Sequence, residues 1–204
     1  MRSRFLPEGR LLHTPENEAA CASCDGLRRA MEEGTVLEGV AQLCDGAHNL
    51  LVSVGPFTGF LPREEAALGI AEGTTREIAI LSRVGKPVCF QITALEESGG
   101  VLRPRLSRRR AQQAALDAML AGLHPGCILP AVVTHLESFG AFVDIGCGVP
   151  SLIGIENISV SRIPHPDQRF RVGQAIFAVV QELDPKLGRV YLTHRELLGT
   201  WEEN

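Results

Sequence analysis

The chain has 204 residues, a formal net charge of −4, a hydrophobic fraction of 45% and only 5% aromatic residues. That length accommodates two small domains, and no run approaches the ~18 consecutive apolar residues of a membrane-spanning helix. The acidic balance argues against binding nucleic acid by bulk charge, so any such role must rest on a local basic surface.

The opening stretch, MRSRFLPEGRLLHTPENEAA, is too polar for a signal peptide, so the expected location is the cytoplasm. The cysteines are Cys21, Cys24, Cys44, Cys89, Cys127 and Cys147. Cys21 and Cys24 form a C-x-x-C pair, but a zinc site needs about four ligands and no second pair stands at metal spacing. A thiol redox motif would need a βαβ setting that the sequence lacks. All six are read as reduced thiols, and no metal or cofactor is expected.

Residues 1–33 read as a helical lead-in. Thr14 is a good cap and Pro15 suits a first helical turn, so a short helix is predicted there. Leu27, Ala30 and Met31 mark a second helix, and both are expected to pack on the neighbouring barrel. Residues 34–107 then carry short apolar runs bounded by turn residues, predicting strands at 36–43, 49–54, 58–61, 87–94 and 101–106. Phe57 and Phe60 fall near the third of these, and Phe60 is expected in the core. The connection Cys44-Asp45-Gly46-Ala47-His48 holds no aromatic pair.

Residues 108–122, RRRAQQAALDAMLAG, predict a linker helix. Ser107 caps it, Ala111, Ala114, Ala115, Ala118 and Met119 form its apolar face, and Gly122 ends it. Arg103, Arg105, Arg108, Arg109 and Arg110 face only Asp117 in this segment, which makes it the one basic stripe. Arg108, Arg109 and Arg110 at a helix N-terminus oppose the helix dipole, so they are read as serving something outside the helix.

Residues 123–204 are the most patterned part of the chain. Apolar runs lie at 128–136, 141–145, 149–155, 175–183 and 189–193. Gly140 and Gly146 bracket the second, and Asp184-Pro185 with Gly188 makes a turn between the last two. The insert 159–170 carries Pro164 and Pro166 around His165, so it is not a regular helix throughout and is expected to cross one end of a barrel. Five short strands with an insert after the third fit a small closed barrel of the oligonucleotide-binding type. The same frame recurs earlier. Gly34 aligns with Gly126, Val40 with Val132, Gly55 with Gly146 and Arg103 with Arg189, a spacing of roughly 90 residues that signals a domain array. The fold class is mainly β: tandem five-stranded OB-fold barrels, with the lead-in helices and the linker helix.

The signature Gly126-x-x-x-x-x-Val132, then Phe139-Gly140-Ala141-Phe142-Val143-Asp144-Ile145-Gly146, then Val172-Gly173, then Gly188-Arg189-Val190-x-Leu192-Thr193 resembles the S1 RNA-binding domain family. The family recurs as the repeat of the largest small-subunit ribosomal protein and in RNA-processing enzymes. The resemblance implies single-stranded RNA, mRNA or rRNA, as partner, with the small ribosomal subunit as a further candidate and no membrane. Phe139 and Phe142 would stack bases, Arg189 would contact a phosphate or base, and Asp184 would flank the last turn with it. Arg108, Arg109 and Arg110 would lie beside the RNA path. The family usually places a His on the third strand, where Gly154 stands here. In the first barrel, Gly59-Phe60-Leu61-Pro62 resembles the first repeats of the ribosomal protein, which implies protein contacts there. The tail LLGTWEEN, with Trp201, resembles the linker to a further repeat, so the chain is read as a piece of a longer array.

No paired carboxylates, Ser-His-Asp set, phosphate loop or metal cluster is visible, and Gly146-Cys147-Gly148 lacks the rest of a dinucleotide fingerprint. The leading expectation is a non-catalytic RNA-binding protein acting through the second barrel. A protein–protein adaptor that has lost RNA binding is the alternative.

Overall fold

A computed structural model describes residues 5–198. The predicted linker start at Trp201 lies outside the described residues. Two compact units divide within one helix: Glu8–Ala114, and Ala115 onward together with the residues through Pro7.

In the unit Glu8–Ala114, α1 (Pro15–Cys21) begins where the Thr14 hydroxyl accepts the Asn17 N–H. α2 (Cys24–Glu33) begins at Ser23 and ends at Gly34, whose φ of 63° gives the left-handed stop that a Cβ would oppose. The strands are β1 (Leu37–Cys44), β2 (Leu50–Val54), β3 (Phe57–Leu61), β4 (Pro87–Ser98) and β5 (Val101–Ser107), with a short helix α3 (Ile78–Leu81) between β3 and β4. They close in the order β1-β2-β3-β5-β4. Alternating residues of β2, Leu50, Val52 and Val54, point inward and meet Leu27 of α2, Leu37, Leu61, Phe90 and Leu106. This is the period-two burial of a strand with one wet face.

Two buried carboxylates pin the lead-in to this barrel. Glu38 on β1 is 1% exposed and accepts the backbone N–H groups of Gly9, Leu11 and Leu12 at 3.0, 3.1 and 2.8 Å. Asn17 pairs with the Glu38 backbone on both sides, accepting its N–H at 2.8 Å and donating to its carbonyl at 3.1 Å. Burial pushes the Glu38 carboxyl up, against the opposing pull of the Cys89 thiol and those three N–H donors. Glu8 takes a two-pronged guanidinium from Arg108, Nε at 2.7 Å and Nη2 at 2.9 Å, plus Arg83 at 3.1 Å and the Cys89 N–H at 3.0 Å. Burial pushes the Glu8 carboxyl up, but Arg108 and Arg83 outweigh it and hold the group below its ordinary range.

The helix α4 (Arg108–Gly122) starts at Ser107, whose hydroxyl accepts the Arg110 N–H at 3.0 Å and donates to Glu65. Its first turn corrects one sequence expectation. Arg108 is 6% exposed and closed to an external ligand. Its guanidinium serves Glu8 and the Ala66 carbonyl at 3.1 Å instead. Arg109 is half-buried and paired with Glu72, and Arg110 is exposed.

In the other unit the strands are β6 (Ile128–Glu137), β7 (Gly140–Asp144), β8 (Pro150–Gly154), β9 (Ala175–Asp184) and β10 (Arg189–Thr193). They close in the order β10-β8-β7-β6-β9, the same neighbour order as the first barrel. Ala131, Val133, Ala141, Val143, Ile153, Ala178, Val180, Val190 and Leu192 fill its interior. Asp144 ends β7 and accepts the Gly146 and Gly148 N–H groups at 2.8 and 2.9 Å, which shapes the turn into β8. The stretch after β8 carries 3-10 turns at Ile155–Asn157 and Pro166–Gln168 and is otherwise irregular. Ile163 and Phe170 anchor it, at 8% and 2% exposure. Among the described residues no helix is long and apolar enough to cross a membrane.

Candidate nucleic-acid interface

The second barrel turns a row of rings outward. Across the β6–β7 pairing His135 stands opposite Phe142; across β7–β8 Phe142 stands opposite Leu152; across β8–β10 Leu152 stands opposite Tyr191. One line of side chains thus crosses four strands on the outer face. Phe139, at the β6–β7 turn, is 53% exposed and meets Phe142 edge-on at 6.1 Å between centroids and 87° between planes. The His135 ring lies 6.2 Å from Phe142 at 31°, and its Nε2 is 2.7 Å from the Glu137 carboxylate. Edge-to-face and offset rings of this kind leave flat faces free.

Arg189 lies two residues before Tyr191 on the same face of β10, exposed, and paired in register with Asp184. Asp184 builds the turn that presents it. Its Oδ1 accepts the Lys186 and Leu187 N–H groups, both at 3.0 Å. The structure therefore brings Phe139, Phe142, Arg189 and Asp184 onto one barrel. Arg108, Arg109 and Arg110 belong to the first turn of α4, and Arg108 is buried there.

Sequence reasoning missed His135 and Tyr191. The irregular register between Val133 and His135 turns His135 to the outer face, and a bulge of this kind leaves no simple period to count. Tyr191 was countable: Val190 and Leu192 are buried at 4% and 1%, so the residue between them faces out.

The first barrel answers with different chemistry. At the positions matching His135, Phe142, Leu152 and Tyr191 it carries Leu43, Leu51, Phe60 and Arg105, by the same pairings. Phe60 is half-buried on the outer face rather than in the core, because its neighbours Gly59 and Leu61 take the inward positions. The Arg105 guanidinium lies 5.7 Å over its ring and 3.5 Å from Glu96.

Residues 123–195 match the family described as S1 RNA binding domain. The second barrel resembles an S1 domain along nearly its whole length. Through both barrels the chain is 28% identical over 188 residues to the small ribosomal subunit protein bS1 of Neisseria meningitidis, covering 89% of this chain and 31% of that protein. It is 28% identical over 193 residues to bS1 of Mycobacterium tuberculosis, covering 91% and 37%. Protein tex of Bordetella pertussis is 36% identical over 114 residues, covering 55% and 14%. Among solved structures, GSP13 of Bacillus subtilis aligns at 22% identity with a TM-score of 0.36, covering 38% of this chain and 60% of that one. The chain spans about a third of the length of the bS1 proteins it matches. The match to this family over the second barrel supports nucleic-acid binding there.

Proposed function

We propose that the S1 domain binds single-stranded RNA, without catalysis, on the face that carries His135, Phe139, Phe142 and Tyr191. Arg189 meets a phosphate at one edge of that face, and Asp184 positions it through the turn. The observation that carries this reading is the exposure of Phe139, 53% in water beside the edge-on Phe142. A ring held open on a barrel face forfeits burial free energy that a stacked base recovers, worth roughly 1–3 kcal/mol per base. Unpaired bases reach such rings, whereas the bases of a duplex are stacked on one another. The likeness to bS1 supports mRNA or rRNA as the strand and the small ribosomal subunit as the setting.

A fluorescence titration of the whole protein with a short single-stranded RNA tests the reading. Binding that weakens with salt and drops in Phe139→Ala is expected. Equal affinity for a duplex, or no loss in Phe139→Ala, would overturn it. A protein-binding role is favoured by a separate observation, the exposure of Ile128 and Phe177, 60% and 61%, on the outer side of β6 and β9. In that case Phe177→Ala, and not Phe139→Ala, weakens the interaction.

A further inference from the structure

Gly154 ends β8 on the outer face of the barrel, yet its backbone does not call for glycine. Its φ of −59° and ψ of 150° suit any L residue. What occupies the place of its side chain is the movable end of another one. A Cβ there would lie 2.3 and 2.9 Å from the two carboxylate oxygens of Glu156. The 3-10 turn after β8 folds the Glu156 side chain back over Gly154, so the carboxylate takes the place of a side chain on the outer face of the barrel.

That place borders the stacking rings. Gly154 pairs across β7–β8 with Gly140, the residue after Phe139. The next residue, Ile155, donates its N–H to the Phe139 carbonyl at 2.9 Å. The carboxylate therefore lies across one strand spacing from Phe139, on the side of the rings opposite Arg189. Arg195 donates to the Glu156 backbone carbonyl at 3.3 Å and leaves the carboxylate oxygens alone. Among the described residues no hydrogen bond or ion pair engages those oxygens. A cleft of about 530 Å³ opens beside them, lined by Ser159, Ser161, Arg162 and Arg195 as well as Glu156.

We propose that Glu156 selects guanine for the base stacked on Phe139. This rests on the RNA reading above. A carboxylate is an acceptor only, and it takes two parallel donors best. Guanine alone among the four bases puts two adjacent donors, N1–H and N2–H, on its Watson–Crick edge, the edge an unpaired base offers. Uracil offers one donor between two carbonyl oxygens. Adenine and cytosine each set a single amino donor beside a ring nitrogen whose lone pair a carboxylate repels. The Arg162 and Arg195 side chains in the cleft suit the phosphate of the following nucleotide, which limits the repulsion between Glu156 and the strand.

The test titrates the whole protein, at one salt concentration, with oligouridines that differ only in the central base. The guanine-bearing strand is expected to bind about tenfold tighter than the others, as for one good two-pronged base contact. Glu156→Gln and Gly154→His should each bring the ratio to within about twofold. The first replaces an acceptor oxygen with a donor, and the second displaces the carboxylate. Equal affinity for all four strands, with Phe139→Ala still weakening each, overturns the guanine inference and leaves the RNA reading standing. A guanine preference that survives Glu156→Gln also overturns it. Strands that bind the parent and Phe139→Ala alike overturn both.

Discussion

The Arg105 guanidinium lies 5.7 Å above the Phe60 ring, in the register that Tyr191 and Leu152 hold in the S1 domain. A base approaching Phe60 must displace that cation, forfeiting ~0.5–1 kcal/mol of cation–π attraction. Among the described residues no cation lies over Phe139. In the whole protein, Phe139→Ala should cost roughly 1–3 kcal/mol of affinity for single-stranded RNA, and Phe60→Ala should cost less. Both variants should keep their stability to within about 1 kcal/mol, because neither ring fills a core. Binding titrations and denaturant melts of the two variants check this; an equal or larger binding loss in Phe60→Ala would place the main stacking site on the wrong barrel.

Arg189 should act through charge. Arg189→Ala is expected to weaken binding at low salt and to lower the salt slope by about one phosphate contact. Phe139→Ala should leave the slope as it is, because stacking releases no counterion. Affinities measured across a salt series separate the two, and an unchanged slope in Arg189→Ala would remove Arg189 from the phosphate contacts.

Arg108 should matter for stability. Arg108→Ala takes the two-pronged guanidinium away from the Glu8 carboxylate, 5% exposed, while Arg83 stays beside it. Removing one side of a buried pair costs ~3–5 kcal/mol. Arg110, exposed on the same helix, should change stability by less than about 0.5 kcal/mol when replaced by Ala. Urea unfolding of both variants tests the contrast, and a small loss for Arg108→Ala would show that Glu8 finds water or a proton instead.

Acid should expose the same pair. The Glu8 carboxyl is held below its ordinary value of 4.5, so its contribution is present above that pH and is lost as pH falls through the folded-state value. Glu38 works in the opposite sense. Its carboxyl is raised, so its contribution is full below the ordinary value and fades as pH rises through the folded-state value. Glu8→Gln should therefore be less stable than the parent at neutral pH and lose less on acidification. Unfolding free energies measured from neutral pH down into the acid range give the two slopes, and parallel curves would contradict the assignment.

The strands were legible because their burial alternates. Leu50, Val52 and Val54 read as one face without any knowledge of their partners. The two-barrel frame was legible for the same reason, since the turn glycines repeat with the strands. Phe139 and Phe142 could be named because a glycine-flanked turn sets them apart. Arg108 could not be placed, because what claims it is Glu8, in an irregular stretch far away in sequence. His135 depends on a bulge. Glu156 looked like an ordinary acidic residue after a strand, and only the space above Gly154 connects it with the rings. Each of these misses concerns a contact between segments that carry no shared period.

The clamp between Glu8 and Arg108 also bears on synthesis. Glu8 is made 100 residues before Arg108. At ~5–20 residues per second the interval is on the order of 5–20 s. Throughout it, the strands of the first barrel are emerging while the carboxylate that belongs beneath them lacks its main counter-ion. Burying it early would leave it with Arg83 but without the two-pronged guanidinium. The Glu8–Arg108 pair therefore forms only after the first turn of α4 has been made, 100 residues later than its carboxylate.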